Sequence, residues 1–91
     1  MTDPIRLKRL SYRAHHRGFK EADLLLGAFA DAHLATLTEA ELDAFEAMIV
    51  NEQDQDIYDW AIGKVAVPPE YDNSVMALLK AFDFPARTAW R

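Results

Sequence analysis

Cysteine is absent from the sequence, which excludes a disulfide framework and any thiolate metal site and agrees with a reducing compartment. No apolar run approaches the roughly 20 residues that span a bilayer. The longest, LLLGAFA at residues 24–30, is too short and too far along the chain for a secretory signal. A glycine-rich phosphate loop, a nucleophile elbow, a zinc-binding pair of histidines around a glutamate and a calcium loop are all missing. With those motifs gone, an enzyme is not the expectation. Alternation over strand length is missing as well, so a β-sheet is not expected.

What is present is an apolar half, 51% of 91 residues, enough for one small core and far from the composition of a disordered chain. Charge is distributed unevenly. Residues 1–20 carry six Lys or Arg against one Asp, a net +5, and residues 21–91 carry four against fourteen acids, a net −10. A basic leading segment on an acidic body suits a two-signed partner surface better than a uniform polyanion. The arginine-rich start imitates an organelle transit peptide but flows directly into the first motif. The expected setting is therefore the bacterial cytoplasm, or the mitochondrial matrix for a processed eukaryotic form.

Apolar spacing of three and four throughout predicts an all-α, single-domain bundle of five short helices. Asp3-Pro4 starts the first, which runs to about His16 with Ile5, Leu10, Tyr12 and Ala14 as its apolar contacts. The second covers roughly residues 20–35, with Leu25, Phe29 and Ala32 in one stripe widened by Leu24, Leu26 and Ala28. Thr38-Glu39-Ala40-Glu41 has the spacing of a capping box and opens the third, which faces Leu42, Phe45 and Ile49 inward. Asp54 or Asp56 is suited to cap a fourth carrying Ile57, Trp60 and Ala61, ended by Gly63. Pro68-Pro69 predicts an extended link, and Val75, Leu78, Leu79 and Phe82 mark a fifth helix before Pro85. The domain is expected to span residues 1–91, with about 1–84 packed and a flexible tail at 85–91 that carries Trp90.

Three candidate sites have ordinary structural explanations. His15 and His16 point about 100° apart on a helix, and no third ligand of matching spacing follows, so no metal is expected and His33 reads as a surface histidine. The acidic run Glu52, Asp54, Asp56, Asp59 lacks the glycine turn of a calcium loop, and helix capping and solvation account for it. Trp60 and Tyr58 read as core or core edge.

The stretch HHRGFKEAD at residues 15–23 is harder to dismiss. Arg17 in the last turn of a helix is favoured by the helix dipole, Gly18 suits a left-handed terminating position, and Glu21 in the next first turn is placed for capping. A simple joint between helices explains each residue singly. It leaves over an excess of charge, because Arg13, His16, Arg17 and Lys20 gather beside Glu21 and Asp23, and a mixed-sign corner around a glycine is also what a recognition surface looks like.

These residues are similar to a known pattern. HRGFKEADLLLGAF, LTEAELDAFEAMI and DQDIYDW occur in the order seen in the succinate dehydrogenase assembly factor family, the SdhE type of flavinylation factor. Arg17-Gly18-Phe19-Lys20-Glu21 matches its Arg-Gly-x-x-Glu motif, Asp23 and Leu24 to Leu26 its acidic and leucine-rich continuation, and Phe45-Glu46 and Asp54 to Trp60 its later blocks. The resemblance covers about residues 5–65. It implies a five-helix fold and a non-enzymatic role: binding the immature flavoprotein subunit of succinate dehydrogenase, and in bacteria of fumarate reductase, and promoting its covalent attachment of FAD. The client's own histidine would form the bond, and the factor would contribute positioning. It implies no cofactor of its own, since the FAD is bound to the client, and a monomer when free that neither binds nucleic acid nor inserts into a membrane.

Carried over by position, Arg17, Gly18 and Glu21 become the partner-binding surface, with Asp23 and His16 as neighbours. Arg17 would pair with a client carboxylate or main-chain carbonyl, Gly18 would permit close approach, and Glu21 would pair with a client cation or orient Arg17. His16 stands where the family often has a second arginine, and Gly27 where many relatives have proline or another residue. Readings from other classes are a nucleic-acid-binding helical module that uses the basic first helix, and an antitoxin-like partner of a small membrane toxin.

Overall fold

The structure, a computed structural model, describes residues 3–82. Within them lie five α-helices and no strand: α1 (Pro4–His15), α2 (Lys20–His33), α3 (Glu39–Asn51), α4 (Asp54–Ala61) and α5 (Ser74–Ala81). The tail expected at 85–91, with Pro85 and Trp90, lies outside the described residues.

Local chemistry sets most helix starts. The Asp3 carboxylate accepts from the Ile5 N–H at 2.9 Å, and Pro4 follows at the first helical position, where a missing N–H costs nothing. At α3 the capping box is complete: Thr38 Oγ1 accepts from the Glu41 N–H at 3.1 Å, and Glu41 Oε1 accepts from the Thr38 N–H at 2.9 Å. These hydrogen bonds, the backbone one first and then one from the Ser74 hydroxyl, hold the Glu41 carboxyl below its ordinary pKa. α5 starts on a cap that the sequence reading missed, Asn73 Oδ1 accepting from the Met76 N–H at 2.9 Å.

Several expectations needed correction. α2 stops at His33 and tightens into a 3-10 turn at Leu34–Thr36 instead of continuing to residue 35. Ala32 is exposed, so the α2 stripe consists of Leu25, Leu26, Phe29 and Ala30. Ile5 and Tyr12 are each 66% exposed. Leu10 and Ala14, with half-buried Leu7, form the inner face of α1 instead, because they lie about 180° around the helix from Ile5. Neither Asp54 nor Asp56 caps α4, whose cap position is Gln53 with no side-chain hydrogen bond. Pro68 is extended as expected, but Pro69–Tyr71 then winds into a second 3-10 turn. Gly63 ends α4 at φ +81°, the left-handed conformation that only glycine adopts cheaply.

All five helices contribute to one core. Phe29 of α2 stacks on Phe45 of α3 at 5.6 Å between ring centroids and meets Phe82 edge-on at 5.8 Å. Leu42, Ile57, Met76 and Leu79 close around them, fully buried. Trp60 and Tyr58 are buried as well, Trp60 stacking on Tyr71 at 5.5 Å. Tyr71 in turn donates its hydroxyl to Glu52 at 2.8 Å, a bond that raises the phenol's pKa, with burial adding to the shift. No polar or charged residue among those described is buried with this core.

α1 lies mainly along α2. Its side facing α3 carries Arg6, which bridges three carboxylates of that helix: Glu39 at 3.1 Å, Asp43 at 2.6 Å and Glu46 at 2.9 Å. The hydrogen bonds it donates to Asp43 and Glu46 push the guanidinium pKa further above its ordinary value. So Arg6 fastens the basic first helix to the acidic face of α3.

Candidate functional site

α1 and α2 meet at residues 16–19, and the side chains there are sorted by direction. Arg17 turns inward. Its Nε and one terminal nitrogen both donate to Asp54 Oδ1, at 2.9 and 2.6 Å. That same nitrogen also reaches the Ile49 carbonyl at 2.8 Å, and the other donates to the Arg13 carbonyl at 3.0 Å. One guanidinium therefore joins the end of α1, the last turn of α3 and the first turn of α4. The side chains of Arg17 and Asp54 are only 11% and 18% exposed. Charge-assisted bonds in such a setting are stronger than surface pairs, and the planar fork of arginine suits them.

The backbone is tied down with equal economy. The Gly18 N–H donates to the second oxygen of Asp54, and the Arg17 N–H donates to Asp23 at the start of α2. Phe19 sends its ring inward, edge-on against Tyr58 at 5.5 Å. With two backbone N–H groups and two side chains anchored, the corner is a fixed shape.

This geometry corrects the expectation for Gly18. Its φ is not positive, and α1 has already ended at His15, capped by His16. The reason for glycine is proximity: a Cβ at this position would sit 3.0 Å from Asp54 Oδ2. The close approach that glycine permits is made by a carboxylate of the same chain. Gly27 has a comparable explanation, since a Cβ there would lie 2.5 Å from Nδ1 of His15. Its absence lets the imidazole lie on α2 and reach Asp31 at 3.0 Å.

Outward from this frame stand His16, Gly18, Lys20 and Glu21, all exposed. Glu21 makes no cap: the α2 cap position is Phe19, with no side-chain hydrogen bond. Glu21 has neither a hydrogen bond nor an ion pair among the described residues. The His16 ring lies over Tyr12, centroids 4.1 Å apart. Of the five residues singled out from sequence, the fold thus brings Arg17 and Asp23 behind the corner and leaves His16, Gly18 and Glu21 on its surface. Asp54 was missed as a member of this site. It had been assigned to capping, and nothing in local spacing connects positions 17 and 54.

The other candidate residues separate. His33 is half-buried against Phe29 and Phe82, far from a shared ligand set with His15 and His16, and no cluster of three or more His, Asp or Glu among the described residues has the arrangement of a metal site. The acidic run does not cap α4, and it does more than solvate. Glu52 accepts from Tyr71, Asp54 holds Arg17, and Asp59 accepts from Gln55 at 2.8 Å. No helix among the described residues is long and apolar enough to cross a membrane.

Comparison with known proteins gives the family. Residues 8–83 match the family model described as flavinator of succinate dehydrogenase. The chain is 37% identical over 73 residues to succinate dehydrogenase assembly factor 2, mitochondrial, of Dictyostelium discoideum, covering 80% of this chain and 51% of that protein. It is 43% identical over 79 residues to the protein of that name from Candida glabrata, covering 84% and 50%, and 40% identical over 81 residues to that from Aedes aegypti, covering 86% and 50%. The chain thus spans about half the length of the curated relatives it matches. The match begins in α1 and runs through α5, including the whole Arg17–Asp54 bracket, and the chain belongs to the flavinator of succinate dehydrogenase family.

Proposed function

We propose that this protein is an assembly factor that binds the immature flavoprotein subunit of succinate dehydrogenase, and that of fumarate reductase where a cell makes both, and promotes covalent attachment of its FAD. The flavin and the histidine that bonds to it belong to the client. The factor acts by holding the client so that those groups meet in a reactive alignment, a contribution that in favourable cases is worth several orders of magnitude in rate. It brings neither a cofactor nor a catalytic group of its own.

The observation that carries this reading is the division of labour at the corner. Arg17, Asp23 and Asp54 spend their charges inside the chain, fixing the backbone, while Glu21 stands on the outside with its charge unspent. A helix start that presents a free carboxylate beside an accessible glycine backbone is preorganised for a partner that offers a cation or N–H donors, and it loses little entropy on binding. In this scheme Glu21, Gly18 and His16 touch the client, and Arg17 and Asp23 hold them in place.

Co-expression of the client subunit with and without this protein, followed by in-gel fluorescence of covalent flavin, tests the proposal. Covalent flavin should rise several-fold with the wild-type chain and fall back with Glu21→Gln, whose melting temperature should match wild type. Equal fluorescence with and without the protein overturns the function. Full activity of Glu21→Gln overturns the assignment of the corner.

A further inference from the structure

α1 leaves a second surface unused. Ile5, Lys8, Arg9 and Tyr12 fall within an arc of about 100° on the side opposite Leu7, Leu10 and Ala14. Ile5 and Tyr12 are 66% exposed. Lys8, Arg9 and neighbouring Arg13 have no ion pair among the described residues, whereas Arg6 on the adjoining side is occupied by α3. Beside Ile5 runs a groove of about 460 Å³, with Ile5 and Leu7 on one wall and Ala30 and Leu34 on the other.

We propose that this face docks an acidic surface of a partner protein, one of whose apolar side chains enters the groove, and that the partner is the flavoprotein subunit engaged at the Arg17–Glu21 corner. The inference rests on the function proposed above. Charge selects the occupant. Three unpaired cations are collected on one helix of a chain whose net charge is −5. A local acidic patch meets only those cations, whereas an extended polyanion also meets the acidic remainder of the molecule within a Debye length of about 8–10 Å. A lipid surface is a poor match for a second reason: Lys8 and Arg9 stand between the two apolar anchors, and an interfacial helix needs a continuous apolar face.

Continuity points the same way. The stack of Tyr12 on His16 joins this face to the corner without a break. A specific interface covers about 800 Å² on each partner, more than the short corner between α1 and α2 supplies, and α1 extends the strip by about 18 Å.

The test measures binding of the wild-type chain to flavin-free client subunit by biolayer interferometry at 50 and 300 mM salt, beside Ile5→Ser/Tyr12→Ser, Lys8→Glu/Arg9→Glu and Glu21→Gln. Both α1 pairs should weaken Kd at least tenfold, the charge-reversed pair should lose most of the salt dependence, and circular dichroism melts should be unchanged. If the α1 pairs bind within twofold of wild type while Glu21→Gln is weakened, the inference fails and the corner stands. If the wild-type chain does not bind, both fail together. Wild-type capture by vesicles of phosphatidylcholine and phosphatidylglycerol, lost in the charge-reversed pair, would assign the face to lipid and overturn the proposal. So would a dimer in sedimentation that either pair dissolves.

Discussion

Replacing Asp54 with alanine isolates the bracket on which the corner depends. The change removes two charge-assisted hydrogen bonds from Arg17, at 2.6 and 2.9 Å, and one from the Gly18 N–H. It leaves a guanidinium that is 11% exposed with only the Arg13 and Ile49 carbonyls for partners. Stripping one member from a buried pair costs about 3–5 kcal/mol. Partial access of water to this site, and swinging of the arginine towards solvent, reduce that to about 2–3 kcal/mol. In a domain of this size each kcal/mol moves the melting temperature by about 4–8 °C, so a loss of about 10–20 °C is expected in a circular dichroism melt. Arg17→Met/Asp54→Leu removes both charges and should be clearly more stable than Asp54→Ala, because no uncompensated ion remains. A loss under 1 kcal/mol for Asp54→Ala, or strict additivity of the two single substitutions, would refute the reasoning.

Two further outcomes follow from the local geometry. Gly27→Ala should stabilise a His15→Ala background by about 1 kcal/mol through helix propensity, and should gain much less or lose stability in the wild-type chain, where the new methyl strikes the imidazole; urea midpoints of the four proteins decide it. The folded pKa of Glu41 lies below its ordinary 4.5, so its contribution is complete at neutral pH, starts to fade as pH falls past the ordinary value, and is gone below the folded one. Glu41→Gln should therefore flatten the acid limb of a urea-midpoint profile between pH 5 and 2, and a limb of unchanged slope would contradict this.

Features that depend on neighbours in sequence are legible from the sequence alone. Asp3-Pro4, the Thr38–Glu41 box and Gly63 act over one turn or less, and the fold uses each as read. Asn73 operates by the same rule and was passed over among the residues after Pro68-Pro69. The errors arise where a partner is distant. Gly18 looked like a helix terminator because the carboxylate it packs against is 36 positions away, and Asp54 looked like a cap because its arginine is 37 positions away. Ile5 and Tyr12 were read as core because α1 has apolar residues on two sides, and only packing against α2 decides which side is covered. The motif at residues 17–21 drew attention to this corner, but it gave no sign that Arg17 faces inward.

The bracket also has a consequence for synthesis. Everything in the segment from His15 to Asp23 is made early, but its shape is secured by an anchor that leaves the ribosome 37 residues after Arg17 and closes only once α3 has found its place. A chain that has not yet reached Asp54 carries residues 15–23 without the carboxylate that holds the Arg17 side chain and the Gly18 N–H. Under the proposed function, competence to engage a client would then certify that the factor itself is complete, and stalled or truncated copies would be silent instead of competing for it.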